Sequence, residues 1–191
     1  MTQLPPNAAL IVIDVQQAFN NPSWGQRNNP GAEDNIAALL DGWRQAGLPL
    51  FHIHHRSKRK ESLFLPEAPG FAVKPEAQPL AGEPVIYKSV NSAFIGTDLE
   101  QRLREAMIET VVICGLTTDH CVSTSTRMAG NLGFETFIVA DATATFERRG
   151  HDGRHYTAQQ IHDTALASLN REFATVVTTE EVLRRLPQAA R

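Results

Sequence analysis

The sequence predicts an α/β protein: a three-layer α/β/α architecture around a mostly parallel six-stranded sheet, Rossmann-like in organisation. Three observations predict it. Six short apolar runs recur along the chain, of the kind that suits strands buried on both faces. Segments with helical spacing separate most of them. Strands alternating with helices imply βαβ units with right-handed crossovers.

The elements follow in order. Residues 8–14, Ala8-Ala9-Leu10-Ile11-Val12-Ile13-Asp14, are a near-continuous apolar run of strand length. Ile36, Leu39, Leu40 and Trp43 then recur at helical spacing, with Gly47 as a C-terminal stop. Residues 49–54 and 84–88 are the second and third strands. Thr97 with Glu100 has the form of a capping box and opens a helix. Residues 110–114 are the fourth strand, followed by a helix capped near Thr118 that runs to about 130–133. Residues 135–140 are the fifth strand, ended by Asp141, and 174–177 the sixth. Capping boxes at Thr157/Gln160 and Thr178/Glu181 start the last two helices. Residues 57–82 and 142–156 fit neither pattern. They read as long loops, which in compact domains are often functional.

Composition narrows the class of function. The chain has 191 residues, 42% of them hydrophobic and 20% charged, which suits one well-filled core and a single domain over 1–191. With 18 Lys+Arg against 21 Asp+Glu the net charge is −3. The longest basic patch is Arg56-Ser57-Lys58-Arg59-Lys60, so nucleic acid is not expected as the main partner. No apolar run approaches the roughly 18–20 residues of a membrane span. Residues 1–6 lack the charged start of a secretory signal. Two cysteines, Cys114 and Cys121, do not make a disulfide framework. A cytoplasmic, reduced protein is expected.

In open α/β sheets ligands bind beyond the carboxyl ends of the strands. That rule brings together Asp14, Lys88 and Cys121, each just past a strand end. A carboxylate, an ammonium and a thiol converging there make a nucleophilic site with its activators. If Thr118 caps its helix, Cys121 lies in the first turn, where free N–H groups, the helix dipole and Lys88 favour the thiolate, the attacking form. Asp14 would accept the thiol proton and return it to a leaving nitrogen. Each residue also has a plain structural reading: Asp14 as a loop cap, Lys88 as a solvated side chain, Cys121 as a small core residue. Asp141 is read as structural and Cys114 as inert.

Three blocks carry a resemblance. They are Leu10-Ile11-Val12-Ile13-Asp14-Val15-Gln16, Tyr87-Lys88-Ser89-Val90-Asn91-Ser92-Ala93-Phe94, and Cys114-Gly115-Leu116-Thr117-Thr118-Asp119-His120-Cys121-Val122. In this order and at these separations the chain resembles the isochorismatase-like cysteine hydrolases, which include nicotinamidases and N-carbamoylsarcosine amidases. The resemblance extends from about Ala8 to Val182. It implies the isochorismatase-like hydrolase fold and a catalytic triad of Asp14, Lys88 and Cys121. It also implies a non-proline cis peptide at Leu116–Thr117 and an oxyanion hole from the Thr117 and Cys121 amides. The implied reaction is hydrolysis of a small amide or carbamoyl compound through a Cys121 thioester. Isochorismatases proper cleave a vinyl ether without a nucleophilic cysteine, so Cys121 points to a C–N bond.

The resemblance also separates this chain from the metal-dependent members. Nicotinamidases bind a metal through an Asp-x-His pair after the second strand and a further histidine. Here His52-Ile53-His54-His55 stands in that place, and residues 56–87 hold no histidine. His52 and His54 share a face while His55 points away. Two imidazoles are incomplete for zinc, so no metal and no cofactor are expected. Phe19, Trp24, Asn91, Phe94 and Thr118 are the candidate substrate contacts. A Cys121–His120 dyad is disfavoured because adjacent helical residues diverge. The polar stretch from Arg148 to His155 is read as a solvated loop. Two alternatives stay open: a metal-assisted nicotinamidase-type amidase, and a non-catalytic oligomeric member of the fold. The expected partners are a small amide-like substrate and further copies of the chain in a dimer or tetramer, with Trp43 or Phe71 at the contact.

Overall fold

A computed structural model describes residues 3–187. Met1 and Thr2, within the segment inspected for a secretory signal, and residues 188–191 of the expected domain lie outside the described residues. In chain order the elements are β1 (Ala9–Ile13), α1 (Ala32–Ala46), β2 (Leu50–His55), β3 (Val85–Lys88), α2 (Leu99–Glu105), β4 (Thr110–Leu116), α3 (Ser123–Asn131), β5 (Glu135–Ala144), β6 (Arg148–Arg149), β7 (His155–Tyr156), α4 (Ala158–Leu169), β8 (Thr175–Val177) and α5 (Thr179–Leu183). Six strands form one parallel sheet in the order β3-β2-β1-β4-β5-β8. β6 and β7 pair as a small antiparallel hairpin inside the second long loop.

Alternation along β1 builds the two faces of the sandwich. Ala9, Ile11 and Ile13 enter one core with Leu99 and Leu103 of α2, Ala129 of α3, and Leu166 and Leu169 of α4. Leu10 and Val12 enter the other with Ile36, Leu39, Leu40 and Trp43 of α1 and Val182 of α5. A strand covered on both faces needs apolar side chains at every position, which explains its unbroken run. Trp43 is fully buried, and its indole N–H donates to Ala8 O at 3.0 Å. It is therefore a core residue and not a contact for another subunit. Phe71 is half-buried and stacks on Tyr87.

Three local expectations are corrected. Asp141 does not end β5: the strand continues to Ala144 after a register shift against β4. Its Oδ1 accepts from the Thr179 N–H and hydroxyl, both at 2.8 Å, tying β5 to α5. Thr157 and Thr178 make complete capping boxes, but Thr97 does not. The Thr97 hydroxyl donates to Ala93 O (2.6 Å), and α2 begins one residue later with Asp98 as its N-cap. Finally, the residues after β4 first form a π-helical turn, Thr118–Val122, and the α-helix starts only at Ser123.

This topology fixes where a ligand can sit. From β1 the chain moves outward to β2 and β3, then returns to place β4 on the other side of β1. The crevice at that reversal lies beyond the carboxyl ends of β1 and β4. Asp14 follows β1 and Cys121 follows β4. Gly115 makes the two strands close: at φ +122° a Cβ there would lie 2.0 Å from Ile13 O. Only glycine fits that approach.

Candidate active site

Asp14 leaves β1 in the left-handed region, with φ 53°, and is 1% exposed. Lys88 ends β3 and is 2% exposed. Its Nζ donates to Asp14 Oδ2 at 2.6 Å, to Val90 O at 3.2 Å, and contacts His55 Nδ1 at 3.1 Å. The other carboxylate oxygen, Asp14 Oδ1, is buried without a hydrogen-bond partner. Cys121 sits in the π-turn with Sγ within 4.8 Å of a carboxylate oxygen of Asp14 and a ring nitrogen of His55. The Leu116–Thr117 peptide is cis. Thr117, not Thr118, is the N-cap of the turn, and Val122 N–H donates to Thr117 O, five residues back, at 3.2 Å.

Opposing effects act on the sulfur. Burial, reinforced by the Asp14 carboxylate, raises the Cys121 pKa far above the ordinary thiol range; Lys88 opposes this only in part. Burial and the carboxylate thus favour the thiol form of Cys121. Burial works against the Lys88 charge, yet Asp14 holds its pKa above the usual lysine value. His55 is lowered by burial and by Lys88, so it is neutral and its Nδ1 accepts from the ammonium. Cys114 is wholly buried in β4, and desolvation raises its pKa as well.

The three strand-end residues thus meet, and His55 joins them. His55 is directly opposite Lys88 in the β2–β3 register. That pairing was the available signal: a residue ending β2 lies beside the one ending β3. His52 and His54 lie elsewhere. His52 Nε2 contacts Glu83 Oε2 at 2.7 Å, and Glu83 also holds Arg44. His54 packs on Tyr87, and burial lowers its pKa to about 4.

A cavity of about 1120 Å³ opens above Cys121 and Asp14. Phe19, Trp24, Asn91 and Thr117 line it, as do His55, Ser89, Val90, His120 and residues 57–64. Phe19, Trp24, Phe64 and Phe146 form an aromatic cluster at one side. Two expected contacts are not at this cavity. Phe94 stacks on Phe134 and lines a separate shallow cleft. Thr118 is fully buried, with its hydroxyl 2.9 Å from His162 Nδ1. Both miss because the chain turns between the motif residue and its neighbour, which adjacency in sequence does not reveal. His120 faces Asp119 and Arg148, each at 3.5 Å, and not the sulfur. Arg148 is bound by Asp119 at 2.7 Å, so this end of the second long loop is anchored to the π-turn.

Asp14, His55 and Cys121 are the one group of three metal-capable residues this close among the described residues. The Lys88 ammonium already bonds Asp14 and His55. The cation around which these donors are arranged is lysine, and the set does not fit a metal ion.

Residues 8–181 match the isochorismatase domain. The chain belongs to the isochorismatase family. An uncharacterized isochorismatase family protein of Bacillus subtilis, YrdC, is 50% identical over 175 residues, covering 92% of this chain and 94% of that protein. A crystal structure of an isochorismatase-family protein from Chromobacterium violaceum is 42% identical, with a TM-score of 0.94 over 97% of this chain and 96% of that one. The maleamate amidohydrolase of Pseudomonas putida is 27% identical over 95% of this chain and 88% of its own length. The chain is accordingly an isochorismatase-family hydrolase with amidohydrolase relatives. No helix among the described residues is long and apolar enough to cross a membrane.

Proposed function

We propose that this hydrolase cleaves the C–N bond of a small amide or carbamoyl compound through a Cys121 thioester, with Asp14 as base and Lys88 as activator. One observation carries the reading. A buried thiol lies within 4.8 Å of a carboxylate that an ammonium holds, at the floor of a substrate-sized cavity. The amidohydrolase among its relatives supports the choice of bond.

Cys121 gives its proton to Asp14, whose Oδ1 has no competing partner, and the sulfur attacks the carbonyl carbon. Lys88 stabilises the anion wherever it rests, on carboxylate or on sulfur. The Thr117 and Cys121 N–H groups at the open end of the π-turn hold the oxyanion. Collapse breaks the C–N bond, and Asp14 returns the proton to the departing nitrogen. Water then attacks the thioester, gives one proton back through Asp14 to sulfur, and releases the carboxylic acid. One amide and one water yield one acid and one amine or ammonia.

The test is turnover of an amide panel with mass spectrometry of the quenched enzyme. Wild type is expected to show an acyl adduct on Cys121, and Cys121→Ala and Asp14→Ala to lose turnover. Retained turnover in either variant refutes the mechanism. Assembly into a dimer or tetramer is proposed alongside, and sedimentation velocity tests it.

A further inference from the structure

The mouth of the cavity has a charge of its own. Lys58, Arg59 and Lys60 line it together with Glu61. Inside, Asp14 is neutralised by Lys88, and His55 and His120 have lowered pKa values from burial. The cavity therefore carries an excess of positive charge in a chain whose net charge is −3. Several arginines elsewhere are paired with acids: Arg27 with Glu33, Arg44 with Glu83, Arg102 with Asp98, Arg148 with Asp119. None of the three at the mouth has an ion-pair partner among the described residues.

The segment bearing them is not a loose tail. Ser57 and Phe64 at its ends are buried. Ser57 N–H donates to Phe64 O at 3.1 Å and closes the loop. Ser57 Oγ accepts from Arg59 N–H, and Ser62 N–H donates to Arg59 O, both at 3.1 Å. Phe64 packs edge-on against His55 (5.3 Å) and Phe19 (5.1 Å). The cations are thus carried on a turn whose anchor touches the residues around Cys121.

We infer that the substrate is an anionic amide: a small molecule with a carboxylate remote from the scissile bond, received by Lys58, Arg59 and Lys60 while the aromatic wall covers its apolar middle. This rests on the amide-hydrolase reading and names its substrate class. Unpaired cations at the rim of a water-filled cavity attract an anion over a distance near the Debye length, about 8–10 Å. They gain a partner without first losing one.

Two measurements test it and keep the two readings apart. The first compares kcat/KM for monoamides of four- to six-carbon straight-chain dicarboxylic acids with the matching neutral diamides. At least one monoamide is expected to be preferred by about tenfold, mainly in KM, with the preference shrinking as salt rises. The triple variant Lys58→Gln, Arg59→Gln, Lys60→Gln should lose that preference, read as the ratio of monoamide to diamide kcat/KM within the same variant. Equal use of diamides, or a preference that survives in the triple variant, overturns the inference and leaves the hydrolase reading intact. The second is calorimetric binding of succinate, glutarate and adipate against the neutral diamides, in Cys121→Ala with and without the triple change. Selective dicarboxylate binding that needs the three cations supports the carboxylate recognition that the inference requires, independently of turnover. No selective binding overturns the inference. Inorganic phosphate binding where no dicarboxylate does overturns the carboxylate assignment.

Discussion

Replacing Asp14 by Asn should make Cys121 more reactive toward an alkylating agent while abolishing amide turnover. Asn conserves shape and removes one negative charge within 4.8 Å of the sulfur. In an effective dielectric of about 20, that charge opposes thiol ionisation by ~3 kcal/mol, about two powers of ten in thiolate fraction. Burial remains in the variant and still disfavours the thiolate, so the gain is bounded by the charge removed. The Lys88 ammonium, relieved of its carboxylate, keeps His55 Nδ1 and Val90 O and gains the thiolate as its counter-charge. Lys88→Met acts with the opposite sign: the Asp14 charge stays, its neutraliser goes, and the thiol ionises less readily. The assay is iodoacetamide labelling against pH, resolved by site with mass spectrometry. Cys114, with no exposed surface, reports any general opening of the fold. The expected result is labelling of Cys121 up to about 100-fold faster in Asp14→Asn than in wild type and slower in Lys88→Met, with Cys114 silent in all three. Labelling in Asp14→Asn no faster than wild type, with Cys114 still silent, would falsify a resting thiol held down by its own base.

Further predictions concern stability. Lys88→Met leaves a buried carboxylate unpaired and should lower unfolding free energy in urea by ~3–5 kcal/mol, while Asp14→Asn/Lys88→Met recovers most of it; additive losses would contradict the pairing. Because Asp14 raises the Lys88 pKa, the pair's contribution is fully present below the ordinary lysine value of 10.5 and is lost as pH rises through the folded-state value. Wild type and Lys88→Met should therefore converge in strongly alkaline solution. Gln16 is fully buried and bonds His55 O (3.2 Å), Phe71 O (2.9 Å) and His55 N–H (2.8 Å). Gln16→Leu strands those groups and should cost ~2–4 kcal/mol by thermal unfolding; a change within ~0.5 kcal/mol would show that they find other partners. Thr157→Ala should cost ~1 kcal/mol for the loss of a complete capping box, whereas Glu100→Ala, whose box does not form, should stay within ~0.5 kcal/mol. Paired melts distinguish the two.

How much could be read without coordinates depends on whether a feature is local. The strands were legible because a buried parallel strand must be apolar at every position, so Leu10 to Ile13 can serve few other purposes. The meeting of Asp14, Lys88 and Cys121 was legible because parallel strands put their carboxyl ends on one edge. Three features were not. His55 was separated correctly from His52 and His54 by strand alternation, but its place beside Lys88 needs the β2–β3 register. Thr97 satisfies the capping-box pattern as well as Thr157 does, yet its hydroxyl is taken by Ala93 O. Phe94 and Thr118 were expected at the cavity, and the turns that separate them from Lys88 and Cys121 direct them to Phe134 and His162.

The ionisation of Cys121 likewise depends on its surroundings. A helix N-terminus and a lysine both favour a thiolate, and burial opposes it. In the folded chain Cys121 is 8% exposed and its sulfur is near a carboxylate, and those two effects favour the thiol. The consequence is chemical. A preformed thiolate beside Asp14 would put two anions against one ammonium in a buried space. A thiol leaves one anion and one cation, and transfer of its proton to Asp14 preserves that count: the negative charge moves from oxygen to sulfur while Lys88 stays in reach of Asp14 and His55. No net charge is created at any point before attack, so the desolvation that holds the thiol protonated at rest is not incurred a second time in the transfer. A divalent metal in the place of Lys88 would instead hold the sulfur as a thiolate ligand, unavailable as a nucleophile. Lysine is the cation that fits a mechanism in which the proton must come back.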